Sequence, residues 1–193
     1  MKKLIIYFGI LCLVANLSAM EYQVDKTKDN MVLFVSQAPV ESFDGSTNSI
    51  DGYVLWKGDN PLNQCEFYFE VDLSTFDTGI GMRNQHMRDN YLETDKFRYA
   101  IFTGTLTSID TLDIENTYDV VVDGMLNLHG VEQPYTMDGR VSLDADTMNV
   151  QCGFEVMLEQ HKIKVPKIMF VKISPIIQLD INFYLRKVEE EGE

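Results

Sequence analysis

Apolar and polar residues alternate with a period of two along most of the sequence. The clearest run, from Cys65 to Leu73, places apolar side chains on one face and mostly charged side chains on the other. Since successive side chains of a β-strand point to opposite faces, such runs predict strands with one buried and one wet face. The apolar faces of the best runs are Cys65, Phe67, Phe69, Val71 and Leu73; Val120, Val122, Leu126 and Leu128; Tyr135, Met137, Gly139, Val141 and Leu143; Val150, Cys152, Phe154, Val156 and Leu158; and Ile177, Leu179, Ile181, Phe183 and Leu185.

These strands predict an all-β fold. Strands with one wet face are typical of antiparallel sheets, whereas parallel strands are usually apolar on both faces. Residues typical of turns separate the runs, at 44–45, 58–61, 110–117, 129–134 and 144–147. Together with weaker runs at 22–25, 31–36, 49–57 and 97–109, the sequence predicts about eight or nine strands, enough to close one antiparallel barrel without exposed edges.

Two segments break the alternation. Residues 81–92 have no strand period and predict a short helix or an ordered loop. Residues 165–174 carry an apolar stretch between Pro166 and Pro175 that includes Met169 and Phe170. Exposed apolar side chains in a connection are costly, so we expect this second segment to cover a mouth of the barrel as a lid.

Residues 1–19 are typical of a secretory signal peptide. Lys2 and Lys3 precede an apolar run that ends in the small residues Ser18 and Ala19. A run of about 14 apolar residues is shorter than the ~20 that a membrane-spanning helix needs, which favours cleavage over an uncleaved anchor. We therefore expect a periplasmic or secreted protein with no stable membrane span after cleavage, and a single domain over residues 20–187.

The net charge argues against one class of partner. The 193 residues include 30 acidic and 16 basic side chains, for a net charge of −14. Such a protein repels phosphate backbones, so no nucleic-acid partner is expected. Residues 188–193 are mostly glutamate and are expected to form a disordered acidic tail.

Two cysteines, Cys65 and Cys152, remain after removal of the leader. An oxidising compartment would allow a disulfide between them. Alternatively, each is a small buried apolar residue, because both fall on predicted inward faces. The sequence leaves these two alternatives open.

Three segments resemble a known family. They are Val71 to Gly79 with its terminal Asp-Thr-Gly, the Met-Arg-Asn-Gln-His-Met-Arg stretch at 82–88, and the aromatic-rich segment 94–102. The hairpin entry from Gly124 to Val131, followed by Pro134, matches as well. In these segments the chain resembles the YceI-like family of exported polyisoprenoid-binding proteins. It departs from the family's usual form at 38–43, which lacks a histidine, and at 166–173.

The resemblance implies a lipocalin-like barrel of about eight strands, whose apolar lumen holds a long isoprenoid or fatty-acyl chain. The side chains expected to contact that chain are Phe34, Phe67, Phe69, Val71, Phe102, Leu126, Met137, Phe154 and Phe183. Each buried methylene contributes about 0.8 kcal/mol, so affinity would rise with chain length. The alternative that these side chains fill the barrel stays open, because small eight-stranded barrels can be packed solid.

Arg83, His86 and Arg88 are candidates for the mouth. Their side chains would supply charge-assisted hydrogen bonds to a polar or phosphate head group. Alternatively, the two arginines pair with local carboxylates and His86 only fixes the loop. The two other histidines have simpler interpretations, with His129 in a hairpin turn and His161 on the surface.

The sequence does not indicate an enzyme. Asp77-Thr78-Gly79 resembles the motif of aspartic proteases, but their chemistry needs two carboxylates and no second Asp-Thr-Gly occurs. The three histidines are far apart in sequence and no Cys-x-x-Cys is present, so no metal site is expected. A Gly-x-Ser-x-Gly motif is also absent.

The sequence therefore predicts an exported carrier for an isoprenoid quinone, a polyprenyl phosphate or a similar amphiphile, in transport, storage or sequestration. No cofactor besides a bound lipid is expected. Members of the family often pair, which leaves a homodimer open. The alternative is a secreted, non-enzymatic interaction module with a filled barrel that acts through its acidic surface.

Overall fold

The computed structural model describes residues 19–37, 42–57, 62, 65–112, 115–168 and 171–189. Most of these residues lie in β-strands. In chain order the strands are β1 (Ala19–Val24), β2 (Met31–Ser36), β3 (Phe43–Thr47), β4 (Ile50–Lys57), β5 (Cys65–Asp72), β6 (Tyr99–Thr111), β7 (Thr117–Leu128), β8 (Val131–Asp144), β9 (Thr147–Met157), β10 (Lys167–Ile168), β11 (Val171–Lys172) and β12 (Ile176–Lys187).

Eight of these strands close into an antiparallel barrel. Each strand pairs with the next in the order β1, β4, β5, β6, β7, β8, β9 and β12, and β12 pairs in turn with β1. This closure confirms the predicted single barrel. It also pairs both edges of every strand in the circuit, which removes the exposed edges that favour aggregation.

Two further strands extend the barrel wall on one side. β2 pairs with the first half of β12, while β1 pairs with its last residues. β3 then pairs with β2, as β4 pairs with β1. A turn separates β1 from β2, where the Asp25 carboxylate accepts hydrogen bonds from the amide and hydroxyl of Thr27 at 3.0 and 2.6 Å. The first wall strand is therefore interrupted, which explains the two separate runs in the sequence.

The connection between β5 and β6 is helical. A short 3₁₀ turn (Leu73–Thr75) leads to helix α1 (Gly81–His86), which continues into a π-helical turn (Met87–Tyr91). Buried Asn84 fixes α1, because its side-chain oxygen accepts from the Thr78 amide at 2.9 Å and its amide group donates to Asp77 at 2.7 Å. The predicted short helix at 81–92 is thereby confirmed.

β10 and β11 form a hairpin whose two-stranded sheet is separate from the barrel sheet. On one side the hairpin follows a 3₁₀ turn (Leu158–His161), and on the other it leads into β12. It occupies the predicted lid segment, although Met169 and Phe170 themselves lie outside the described residues.

No helix in the described part of the chain combines the length and apolar character needed to span a bilayer.

Candidate functional site

The inward faces of the barrel strands surround a cavity of about 890 Å³. This volume falls within the range of ~300–1,000 Å³ that is usual for small-molecule pockets. Aliphatic and aromatic side chains from the barrel strands make up most of its wall. The interior is therefore not packed solid.

All nine side chains expected to contact a lipid chain line this cavity. They come from β2, β5, β6, β7, β8, β9 and β12, so the wall is assembled from almost the whole circumference. Several are also buried, with Phe183 at 3% and Met137 at 5% exposure. The nine are Phe34, Phe67, Phe69, Val71, Phe102, Leu126, Met137, Phe154 and Phe183.

A cluster of phenylalanines forms part of the cavity wall. Phe67 stacks on Phe69 and on Phe102, with ring centroids 6.1 and 5.9 Å apart, and Phe69 meets the edge of Phe183 at 4.9 Å. Gly124 of β7 makes room for one of these rings, because a Cβ atom there would lie 2.6 Å from the Phe102 ring. The cluster gives the wall an aromatic surface against which a hydrocarbon can pack.

The cavity reaches the protein surface beside α1. Ile80, Met82, Arg83 and His86 line it, and of these Ile80 is 51% and Met82 70% exposed. The same side chains thus contact both the cavity and solvent, which makes this end of the barrel the mouth. At the opposite end, buried Tyr22, Val24 and Leu185 belong to the packed core, with Leu185 completely buried.

The three candidate mouth residues are placed differently. Arg83 and His86 line the cavity, whereas Arg88 is not part of its wall. The Arg83 guanidinium lies over the Phe43 ring, with Cζ 4.6 Å from the ring centroid. Its Nε and Nη2 also donate to the hydroxyl and carbonyl oxygens of Thr78, at 3.0 and 3.3 Å. Arg83 is therefore held at the rim in a defined orientation.

Residues from the lid segment also line the cavity. Pro166, Lys167 and Ile173 line the cavity, and Ile173 is 4% exposed. Ser36 of β2 lines it as well and is completely buried. Sequence reasoning overlooked Ser36 and Lys167, although the spacing of two from Phe34 was a signal that Ser36 faces inward.

The two cysteines are free thiols that line the cavity. Burial raises the pKa of both Cys65 and Cys152 to about 11. The thiols are thus almost entirely protonated at neutral pH and contribute to the wall as small apolar groups. The two cysteines are therefore separate small residues of the wall, with Cys65 buried and Cys152 half-buried.

His161 is completely buried, so its assignment to the surface was wrong. The 3₁₀ turn Leu158–His161 points it inward, where Nδ1 lies 3.1 Å from the Val131 carbonyl oxygen. His129 does lie in the hairpin turn, with φ at +55°. Its Nδ1 lies 3.2 Å from the His161 carbonyl oxygen and its Nε2 lies 3.1 Å from the Glu93 carboxylate. The histidines therefore join the 3₁₀ turn Leu158–His161, the β7–β8 hairpin and the end of the helical connection.

Comparisons with known proteins give one family. A family model described as a YceI-like domain matches residues 22–185. The UPF0312 protein YE1254 of Yersinia enterocolitica is 26% identical over 127 residues, which are 64% of this chain and 62% of that protein. The chain thus spans less than two thirds of the length of this curated relative.

Two solved structures share the fold. The crystal structure of Burkholderia cenocepacia BcnA superposes with a TM-score of 0.66 at 17% identity, over 83% of this chain and 98% of that one. A polyisoprenoid binding domain from Saccharophagus degradans, implicated in plant cell wall breakdown, gives a TM-score of 0.66 at 21% identity, over 86% and 98%. At these identities the likeness concerns the fold alone.

Proposed function

The chain belongs to the YceI-like family, and from this and its cavity we propose that it is an exported carrier that binds a long-chain isoprenoid or similar amphiphilic lipid. The lipid would be held without covalent chemistry, for transport, storage or sequestration. Export would depend on residues 1–19 as a cleaved signal peptide, and would deliver the barrel of residues 20–187 to the periplasm or the exterior.

The apolar cavity is the observation that carries this proposal. A hydrocarbon chain gains about 0.8 kcal/mol for each methylene that it removes from water, and the apolar wall offers no competing polar partner along most of its length. The cavity also has room, at about 890 Å³, for a guest much larger than a solvent molecule. An interaction module with a filled barrel would not need this space.

The length of the lumen suggests the length of the chain. The lining residues of β7 run from Tyr118 to Leu128, which at ~3.3 Å per residue and a strand tilt of ~40° corresponds to about 25 Å along the barrel axis. An extended chain advances about 1.2 Å per backbone bond, so roughly 20 bonds fit end to end. The four isoprene units of geranylgeraniol, at four backbone bonds each, fit within this length and leave room for the polar end.

The mouth would keep the polar end of the lipid near water. Arg83 and His86 line the cavity where it opens, and the lid segment lies at the same end. We propose that Met169 and Phe170 belong to this cover. Arg88 stands outside the wall and would act only through the local charge at the mouth.

Native mass spectrometry after gentle purification tests the proposal. We expect the folded protein to carry a lipid adduct, or to take up geranylgeraniol after delipidation with one molecule bound per chain. Circular dichroism on the same sample would show that the barrel is intact. A folded barrel that is empty and takes up no long-chain isoprenoid would overturn the proposal.

A further inference from the structure

The loop that leads into α1 exposes two large apolar side chains at the mouth. Met82 is 70% and Ile80 51% exposed, more than any other large apolar side chain in the described part of the chain. A Cβ atom at the neighbouring Gly79 or Gly81 would meet no atom within 4 Å, so the loop projects away from the barrel. Ile80 and Met82 also line the cavity. Their exposed apolar surface is therefore continuous with that of the lumen.

The connection from β9 to β12, residues 158–175, lies at the same end of the barrel. His129 of the β7–β8 hairpin joins it to the helical connection, because its Nδ1 lies 3.2 Å from the His161 carbonyl oxygen and its Nε2 lies 3.1 Å from the Glu93 carboxylate. Lys167 of the β9–β12 connection lines the same cavity as the loop before α1. The two connections therefore share the mouth end.

Three exposed lysines lie on the β9–β12 connection. Lys162 and Lys164 are exposed on either side of Ile163, which is 3% exposed and lines the cavity. The two lysines thus face outward where the isoleucine faces the lumen. Lys167 is exposed as well, and residues 160–179 include no Asp or Glu. None of the three lysines forms an ion pair with another residue that the structure describes, so their charges are available to a partner.

Charge is unevenly distributed along the barrel axis. The helical connection (73–98) and the β9–β12 connection together carry eight basic and five acidic side chains, although the whole chain carries 16 and 30. At the opposite end, the β8–β9 hairpin exposes Asp144 and Asp146. The two ends lie about 25 Å apart, whereas the Debye length at physiological ionic strength is ~8 Å. The lysines therefore attract an anionic surface at the mouth more strongly than the distant acids repel it.

We propose that the mouth end docks on an anionic lipid bilayer through a mouth surface made of Ile80, Met82, Lys162, Lys164 and Lys167. The two apolar side chains enter the layer of lipid chains, and the lysines contact anionic head groups. A bilayer supplies both complements in one plane, which is why apolar side chains beside lysines are typical of membrane-binding surfaces. The inference deepens the proposed function and rests on it for its purpose, because a docked lumen opens directly onto the bilayer and a lipid enters without crossing water.

Vesicle flotation of the protein purified after export tests the proposal. Vesicles of equal parts phosphatidylcholine and phosphatidylglycerol are compared with vesicles of phosphatidylcholine alone. We expect the partition coefficient to be at least tenfold higher on the anionic vesicles, and to fall severalfold when the salt concentration is raised from about 0.15 M to about 1 M. Equal binding to both kinds of vesicle, or binding to neither, would overturn the proposal.

Two matched pairs of variants locate the contact. Met82→Ser should lower the partition coefficient on anionic vesicles at least fivefold, whereas Met125→Ser, at a position 40% exposed on the outer wall, should leave it unchanged. Lys164→Gln should lower it severalfold, whereas Lys28→Gln, at an exposed position in the turn between β1 and β2, should not. All four variants keep the same N-terminus, so a contribution of residues 1–19 cancels. If Met82→Ser and Lys164→Gln bound like their controls, the proposal would be wrong.

Native mass spectrometry of the same samples separates this inference from the carrier function. A lipid adduct without vesicle binding would overturn the docking and leave the carrier function standing. Vesicle binding by a folded barrel that takes up no lipid would support the docking and contradict the carrier function. Light scattering identifies another occupant, because a dimer that Met82→Ser dissociates, with no vesicle binding, would assign the mouth surface to a second copy of the chain and overturn the proposal.

Discussion

The Nε2 atom of His161 and the hydroxyl of Tyr135 lie 3.1 Å apart, between the 3₁₀ turn Leu158–His161 and β8. On the other side of the ring, Nδ1 faces the Val131 carbonyl oxygen, which can only accept. Nδ1 must therefore carry the proton, so that Nε2 accepts from Tyr135. The neutral imidazole satisfies both contacts, while a proton on Nε2 would force the Tyr135 hydroxyl to turn away.

His161 should make the stability of the protein depend on pH. Burial lowers the pKa of His161 below its usual value, with a smaller contribution from the nearby His129. The unfolded chain then binds a proton that the folded protein does not, so stability should fall as the pH drops below about 6.5. We expect chemical denaturation at pH 7.5 and 5.5 to show this loss.

Two histidine variants test whether His161 causes the pH dependence of stability. His161→Phe should be less stable than the wild type at pH 7.5 by about 1–3 kcal/mol, because Tyr135 and Val131 lose their hydrogen-bond partner. Between pH 7.5 and 5.5 the variant should then lose less stability than the wild type does. His86→Gln removes an exposed imidazole and should lose as much on acidification as the wild type. An equal loss in His161→Phe would assign the pH dependence to other groups.

The Asp72–Arg98 pair should stabilise the entry to the helical connection. The Asp72 side chain is 8% exposed, and its carboxylate contacts Arg98 Nη2 at 2.7 Å and caps the 3₁₀ turn at the Ser74 amide. Burial alone would raise the pKa of Asp72, but these hydrogen bonds outweigh burial and lower it. The stabilisation is thus present above pH ~4 and is lost as the pH falls through the lowered pKa.

Asp72→Asn should cost about 1–2 kcal/mol in the free energy of unfolding at pH 7, since a cap and one side of a half-buried ion pair are weakened. Asp119→Asn is a matched control, because its pair with Arg140 is exposed on both sides, at 46% and 53%. Exposed pairs contribute little, so this control should change stability by less than about 0.5 kcal/mol. Equal effects of the two substitutions, measured in urea, would contradict the assignment.

The direction of side chains could be predicted from sequence, because a period of two assigns every residue of a regular strand to one face. Phe67 and Phe154 follow this rule and line the cavity. His161 has no such period around it, since it lies in a 3₁₀ turn between polar Gln160 and Lys162, and its burial depends on contacts with β8. Lys167 was overlooked because a charged residue on a lid is not expected to line an apolar lumen.

The size of the cavity could not be predicted in the same way. Alternation states which residues face inward, but not whether their volumes fill the space, which depends on the number of strands and their stagger. The interrupted first strand adds to this difficulty. The hydrogen bond from Asn30 to the Asp25 carbonyl, at 3.0 Å, closes a local turn that divides β1 from β2. The alternation of apolar and polar residues does not show that β1 and β2 both pair with β12.

The thiols of Cys65 and Cys152 should react slowly. With a pKa of about 11 for both, the thiolate fraction at pH 8 is roughly a hundredfold lower than for an ordinary thiol. In a Cys12→Ser background, which leaves Cys65 and Cys152 as the two thiols, a chromogenic disulfide reagent should therefore label the folded protein slowly and label both thiols at once after unfolding. Thr105→Cys adds a thiol at an exposed position and should provide the fast reference. Rapid labelling of native Cys65 and Cys152 would show that water enters the lumen freely.

Two inward glycines differ in the space beside them. A Cβ atom at Gly124 would lie 2.4 Å from the Thr103 carbonyl oxygen. Because this oxygen belongs to the backbone, it cannot move aside as the end of a flexible side chain could. At Gly139, which also lines the lumen, the nearest atoms would be 3.3–3.6 Å away, close to ordinary contact. Gly124→Ala should thus destabilise the barrel by about 1–3 kcal/mol through overpacking, whereas a side chain at Gly139 can extend into the cavity.

Gly139→Leu should consequently fill part of the lumen while the barrel stays folded. We expect its urea midpoint to remain near that of the wild type and its affinity for geranylgeraniol to fall at least tenfold, because the new side chain occupies the volume that the lipid needs. Gly153→Leu is the matched control, since Gly153 is exposed on the outer face of β9 and a Cβ there would meet a single atom at 3.4 Å. That variant should bind as the wild type does. If Gly139→Leu bound the lipid with unchanged affinity, the guest would lie elsewhere than in the barrel.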